Sequence, residues 1–289
     1  MQIAFLVGSL LLLGVFAWLV KRRLDALPTK AKKQLLKRKL NGVFVYCEDR
    51  GWIPRNPAFQ RDYLGDFPAL AKLEAGYPAV RSECLALLEH KERLTNASAL
   101  GGSFTTAGIH TISWKTFVFK SGDFIEENCA RCPRTAALLR EIPGLYTAFF
   151  SVLEPRQVIA PHWGYYKGIL RYHLGVLIPN DNADEACWLR VHADPYDNAL
   201  ERDKKNKQRD TSSIVKGEIY HWHDGEGIVF DDNYLHDAGN NSDQVRVVLW
   251  LDLKRPLPLP LDLFNRLVGW VASRDASMRK IRSNVIVHD

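Results

Sequence analysis

A mainly β domain of barrel or sandwich type, with helices ahead of it and one N-terminal transmembrane helix, is the fold class that this 289-residue sequence predicts. Three observations lead there. Residues 1–20 carry no charged side chain and are stopped by Lys21, Arg22 and Arg23. Between Phe59 and Leu94 apolar residues recur at helical spacing, broken by Gly65, Pro68 and Gly76-Tyr77-Pro78. From residue 111 onward, β-branched and aromatic runs alternate with turn residues.

At ~1.5 Å per residue, residues 1–20 make a helix about 30 Å long, the thickness of bilayer hydrocarbon. The cations that follow put the rest of the chain in the cytoplasm, as a single-pass protein. A cleaved signal peptide needs a basic start and a small-residue cleavage site, and both are missing. Residues 21–58 read as a basic linker. The stretch from Lys21 to Leu40 holds nine Lys or Arg and one Asp, a net of +8 against +6 for the whole chain, which leaves −2 for everything else. The basic pI therefore belongs to a short segment, and nucleic acid is not an expected partner. Lys21 to Lys39 is expected on an anionic membrane surface, each cation adding about 1 kcal/mol. A solvated linker helix is the alternative.

Residues 59–256 read as the globular domain, with 46% hydrophobic and 11% aromatic residues in the chain to fill its core. Two or three short helices come first, the clearest at 80–90, and another is expected at 134–141. Strands are expected at 111–120, 145–154, 169–178, 187–192, 218–223, 227–230 and 245–253. Residues 193–216 are charged and almost without apolar side chains, so they form an exposed excursion. The tail, 257–289, carries a helical stripe of Leu263, Leu267, Trp270 and Val271, expected to pack on the barrel, with membrane contact as the alternative. Five cysteines at irregular spacing (Cys47, Cys84, Cys129, Cys132, Cys187) argue against a disulfide framework and fit a reducing compartment. The Cys129/Cys132 pair reads as ordinary thiols before a helix.

The chemistry concentrates in residues 161–173 (PHWGYYKGILRYH) and 230–246 (FDDNYLHDAGNNSDQVR). Each places a histidine on a short connection, His162 or His236, and an arginine nine or ten residues later in an apolar strand, Arg171 or Arg246. An imidazole pair can hold a transition metal, and guanidinium forks can hold a dicarboxylate. Strand alternation puts Leu170, Tyr172, Leu174 and Val176 on one side and Arg171, His173 and Gly175 on the other. A buried Arg needs an anion, and a salt bridge to Asp231, Asp232 or Asp252 is the alternative for either one. His221 and His223 read as structural or substrate-facing. A zinc hydrolase built on them with His236 lacks an evident general base.

The order PHWGYYKGILRYHLGVLIP, then GEGIVFDDNYLHDAGNNSDQVRVVLWLDLKRP, resembles the aspartyl/asparaginyl β-hydroxylase family of iron(II)- and 2-oxoglutarate-dependent dioxygenases over about residues 132–256. The resemblance implies a double-stranded β-helix, jelly-roll and cupin-like. It implies His162 and His236 as iron ligands. It places Arg246 and Ser151 on the distal carboxylate of 2-oxoglutarate, with Arg171 and His173 completing that pocket. Iron(II), 2-oxoglutarate and O2 are the cofactors and co-substrates it implies, with ascorbate supportive. Gly164 stands where wider dioxygenases have a carboxylate ligand; this branch lacks that ligand, so water or chloride fills the position. Asp237 beside His236 points away along the strand. Anchor plus hydroxylase domain, and the segment CPRTAALLREIPG, resemble bacterial lipid A acyl-chain hydroxylases, which favours a membrane-lipid acyl chain as substrate. PHWG is closer to members acting on Asp or Asn in a protein or peptide, the alternative. A non-catalytic, membrane-tethered β-barrel binding module is the third reading.

Overall fold

The computed structural model describes residues 29–100, 112–194, 217–274 and 282–287. The expected anchor at 1–20 and most of the charged excursion, 195–216, lie outside the described residues. Among the described residues no helix is long and apolar enough to cross a membrane. The chain divides into two units, Met1–Arg50 and Gly51–Asp289. The described part of the first is helix α1 (Thr29–Asp49), where Lys, Leu and Arg, all good helix formers, continue the basic run.

The second unit is mainly β. Its helices begin where prolines can be tolerated: α2 (Ala69–Ala75) behind Pro68, α3 (Tyr77–Leu88) with Pro78 in its first turn, and α5 (Pro133–Arg140) at Pro133. Between them, α4 (Glu126–Arg131) carries Cys129, and all five cysteines are free and buried. The strands are β1 (Phe59–Gln60), β2 (Thr95–Asn96), β3 (Trp114–Ser121), β4 (Asp123–Phe124), β5 (Leu145–Leu153), β6 (Gln157–His162), β7 (Ile169–Leu177), β8 (Cys187–His192), β9 (Glu218–His221), β10 (Gly227–Phe230), β11 (Leu235–Asn240) and β12 (Arg246–Lys254). All pair antiparallel, in one large sheet ordered β1-β10-β7-β12-β5-β3-β2, with β4 on β3, and a smaller one ordered β6-β11-β8-β9. From β5 to β12 the chain passes back and forth between the sheets, with β8 and β9 its one consecutive pair in the same sheet.

The large sheet is buried on both faces, and alternation along its strands decides which side chain meets which layer. Leu170, Tyr172, Leu174 and Val176 of β7, Val247, Leu249 and Leu251 of β12, and Phe150 and Val152 of β5 pack with Leu70, Leu73, Val80 and Leu139 of the helices. The opposite positions, Phe149 and Leu153 of β5 with Val248 and Trp250 of β12, pack with Ile159, Leu189, Val191 and Ala238 of the small sheet. The same parity turns Ser151, Arg171, His173 and Arg246 toward the small sheet. Gly175 is required by a close crossing: the 223–226 turn lies on β7, and a Cβ there would collide with the carbonyl of His223.

Two expectations are corrected. His162 and His236 are not on connections but on strands, β6 and β11. The peptide groups of 235–240 are buried and need partners, which β6 and β8 supply on either side. The apolar stripe of the tail does not pack on the barrel. In helix α6 (Leu259–Ser273) the buried side chains are Asp262 and Asn265, while Leu263, Leu267, Trp270 and Val271 are exposed. The inner face is held by polar bonds instead: Asn265 Nδ2 donates to the Gly168 carbonyl at 2.7 Å, and Tyr166 Oη donates to Asn265 Oδ1 at 2.9 Å. Gly269 lets the helix approach Tyr146 where any Cβ would clash.

Candidate active site

Between the sheets lies a narrow cavity with His162, His236, Ser151, His173 and Arg246 on its wall. The histidine pair comes from strand register. His236 of β11 stands opposite His162 of β6, and the ring centroids are 4.2 Å apart. Each Nδ1 faces a carbonyl two residues back, Ala160 at 2.8 Å and Tyr234 at 2.9 Å. A carbonyl only accepts, so Nδ1 carries the proton and Nε2 keeps the lone pair. His236 Nε2 is buried without a hydrogen-bond partner. Burial, then the nearby His162 and Arg171, push the His236 pKa well below the usual imidazole range and keep the ring neutral.

Arg246 is 1% exposed, its guanidinium carbon 4.6 Å from the centre of the Trp222 ring, and its Nε has no hydrogen-bond partner. Burial pulls its pKa down to about 10, far below that of a solvated guanidinium. Beside it Ser151 Oγ accepts from Trp114 Nε1 at 2.9 Å, which leaves the hydroxyl proton to donate into the cavity. His173 is buried with neither ring nitrogen bonded, packed against Trp250, Phe230 and Trp222. Its pKa is also driven well down, by burial first and then by Arg171 and Arg246.

Arg171 departs from the expectation. It is not on the cavity wall. Its Nη2 pairs with Asp232 at 2.8 Å and its Nε with Asp252 at 3.0 Å, and its guanidinium lies 3.8 Å from the centre of the Trp250 ring. Two carboxylates from this chain answer its charge. Gly164 is closed to any side chain, because a Cβ there would overlap the Asp232 carboxylate. Asp237 is taken by Arg190 of the neighbouring strand β8, at 2.7 and 3.0 Å. Among the described residues no group of three His, Cys, Asp or Glu is placed to hold a metal, so His221, His223 and His236 form no zinc centre. His223 Nδ1 faces the Asp181 carbonyl at 2.9 Å instead.

The aromatic wall was not singled out from the sequence. Trp114, Trp222, Phe230 and Trp250 close the cavity around the polar groups. Trp250 had a readable signal: it stands at even spacing from Arg246 on β12, so alternation points both the same way.

A family model described as aspartyl/asparaginyl beta-hydroxylase matches residues 74–202 and 204–256, more than half of the chain. The ornithine lipid ester-linked acyl 2-hydroxylase of Rhizobium tropici is 34% identical over 71% of this chain and 62% of its own length. The human aspartate beta-hydroxylase domain-containing protein 2 is 28% identical over 71% of this chain and 48% of its own. The chain thus spans about half to three-fifths of the length of these curated relatives. Among solved structures, a non-heme alpha ketoglutarate dependent carbocyclase from nogalamycin biosynthesis is 14% identical over 66% of this chain and 81% of its own, with a TM-score of 0.37, too slight a likeness to argue from.

Proposed function

The chain belongs to the aspartyl/asparaginyl beta-hydroxylase family, and from that premise we propose that it is an iron(II)- and 2-oxoglutarate-dependent hydroxylase acting on a membrane-lipid acyl chain. One observation carries the co-substrate. Arg246 is a buried cation with an unbonded Nε, in the same cavity as the facing imidazoles of His162 and His236. A protein retains such a charge at a cost of several kcal/mol unless an anion from outside meets it. The winding of β5–β12 between two sheets supports reading the domain as a double-stranded β-helix.

The residues fit the implied group. His162 and His236 would hold iron through Nε2, each ring fixed by its Nδ1 contact to a carbonyl. Arg246 and Ser151 would hold the far carboxylate of 2-oxoglutarate, one by charge and one by its free hydroxyl proton. His173 stays neutral and adds no positive charge to the pocket. Trp114, Trp222, Phe230 and Trp250 exclude water, which strengthens each polar contact. When bound, iron(II) with 2-oxoglutarate and O2 supplies oxidation of an unactivated C–H bond, 2-oxoglutarate leaving as succinate and carbon dioxide. Arg171 would act on Asp232 and Asp252 rather than on co-substrate. The acyl-chain reading draws on the Rhizobium relative, the aspartyl or asparaginyl alternative on the family's description. Residues 1–20 as an anchor with Lys21 to Lys39 on anionic lipid, and the domain on the cytoplasmic side, belong to the same proposal.

Succinate release from 2-oxoglutarate tests it, with the full chain in detergent, iron(II), ascorbate and O2, and either ester-linked membrane lipid or an Asp/Asn peptide added. Stimulation by lipid with hydroxylated acyl product supports the reading. Stimulation by peptide alone moves the substrate to the alternative. No succinate from iron-loaded protein favours the binding module.

A further inference from the structure

Helix α6 carries its polarity the wrong way round for a helix lying on a β domain. Its buried residues are Asp262 and Asn265, Leu261, Phe264 and Val268 are half-buried, and five large apolar residues face outward: Leu259 is 72% exposed, Leu263 58%, Leu267 59%, Trp270 55% and Val271 56%. Steps of three and four residues put all five on one stripe. Single exposed leucines are ordinary, but a contiguous apolar stripe marks an interaction surface.

The charges around the stripe say what it fits. Asp262 is the only acidic residue of α6, and both of its oxygens are engaged, one by Lys254 and the other by Arg266 at 2.6 Å. Arg274, at the helix C-cap, lies 4.0 Å over the Trp270 ring, so a cation sits against the aromatic end of the stripe. Among the described residues of the helix and its cap, leucines, one tryptophan and arginines with no unpaired carboxylate complement an anionic, partly apolar surface. Fifteen residues make a helix of ~22 Å, too short to span a bilayer and suited to lying in its plane.

We propose that the outer face of α6 docks on the surface of an anionic lipid bilayer. The inner face of the same helix grips the segment that leads from His162 into β7, through Asn265 to Tyr166 and Gly168. Docking thereby lays the segment beside the cavity against the source of acyl chains. In its purpose this rests on the acyl-chain reading; in its geometry it does not.

The test is a depth measurement on the full chain. The five native thiols are buried, so a nitroxide can be directed to Leu263→Cys, Leu267→Cys or, as a control on an exposed face, Lys72→Cys. Each labelled chain is bound to phosphatidylglycerol/phosphatidylcholine vesicles, and collisions with oxygen and with a water-soluble nickel chelate are compared. The expected result is that labels at 263 and 267 sit about 5–10 Å below the phosphates, the label at 72 stays in water, and pure phosphatidylcholine gives shallower labels. Labels at 263 and 267 that remain open to the nickel chelate on vesicle-bound protein overturn the proposal. So do labels shielded from both reagents before lipid is added, which would mean a protein partner, a second copy or another segment of this chain. Insertion with no lipid-stimulated succinate keeps the docking and sinks the substrate; lipid-stimulated succinate with aqueous labels does the reverse.

Discussion

Arg171 and Arg246 stand on paired strands, β7 and β12, both buried and both turned toward the small sheet, yet their surroundings are opposite. Around Arg171 the fold closes a network of two carboxylates and an indole ring. Around Arg246 there is an indole ring, a serine and an unbonded Nε. A buried charge answered by its own chain organises structure, whereas one left unanswered marks where a ligand belongs.

Replacing each arginine by methionine should break the pair apart. Arg171→Met leaves Asp232 and Asp252 buried without their cation and is expected to cost about 3–5 kcal/mol in urea unfolding. Arg246→Met removes an uncompensated charge, so stability without ligand should hold or rise. Its 2-oxoglutarate requirement should climb about 30-fold or more, from the 2–5 kcal/mol lost when a buried charged partner is truncated. Equal losses of stability in the two variants would collapse the distinction. Next in size, Gly164→Ala should wedge against Asp232 and destabilise by about 1–3 kcal/mol. A carboxylate introduced there, as in Gly164→Asp, should fail to raise iron affinity, and a tighter iron site in that variant would show that position 164 is open after all.

The smallest effect is pH dependence. His173 and His236 resist protonation in the fold, chiefly through burial. Below pH ~6.5 the unfolded chain takes up protons that the native rings refuse, so stability falls as pH drops, by up to about 1.4 kcal/mol per unit for each ring, until the depressed native values are reached. Arg246 is one of the cations beside His173, so in Arg246→Met the His173 share of the fall should level off at a higher pH. Metal-free unfolding curves between pH 7.5 and 5.5 measure this, and no change over that range would refute burial of neutral rings.

Strands β7, β8, β10 and β12 were legible as runs rich in β-branched, aromatic and other apolar residues, and alternation within β7 also gave the facing of Arg171 and His173 correctly. Strands β6 and β11 were not. QVIAPH contains a proline and LHDAGN a glycine, two small or apolar residues and three polar ones in no period, so their strand character comes from neighbouring strands. For Arg171 the sequence offered both readings, since it shows that an anion is needed without showing that Asp232 and Asp252 converge on it. In α6 the periodicity reveals a stripe but not its direction. That is decided by Asn265 and Asp262, whose specific bonds claim the inner side.

The register that brings His162 opposite His236 joins strands separated along the chain by β7, β8, β9 and β10. Such a contact closes a long loop and is expected to form late in folding, after the intervening strands have found their places in two different sheets. Whatever both rings hold together can therefore grip only the finished molecule. Its binding would slow unfolding without hastening folding, and its capture would serve as a timer for the last step of assembly.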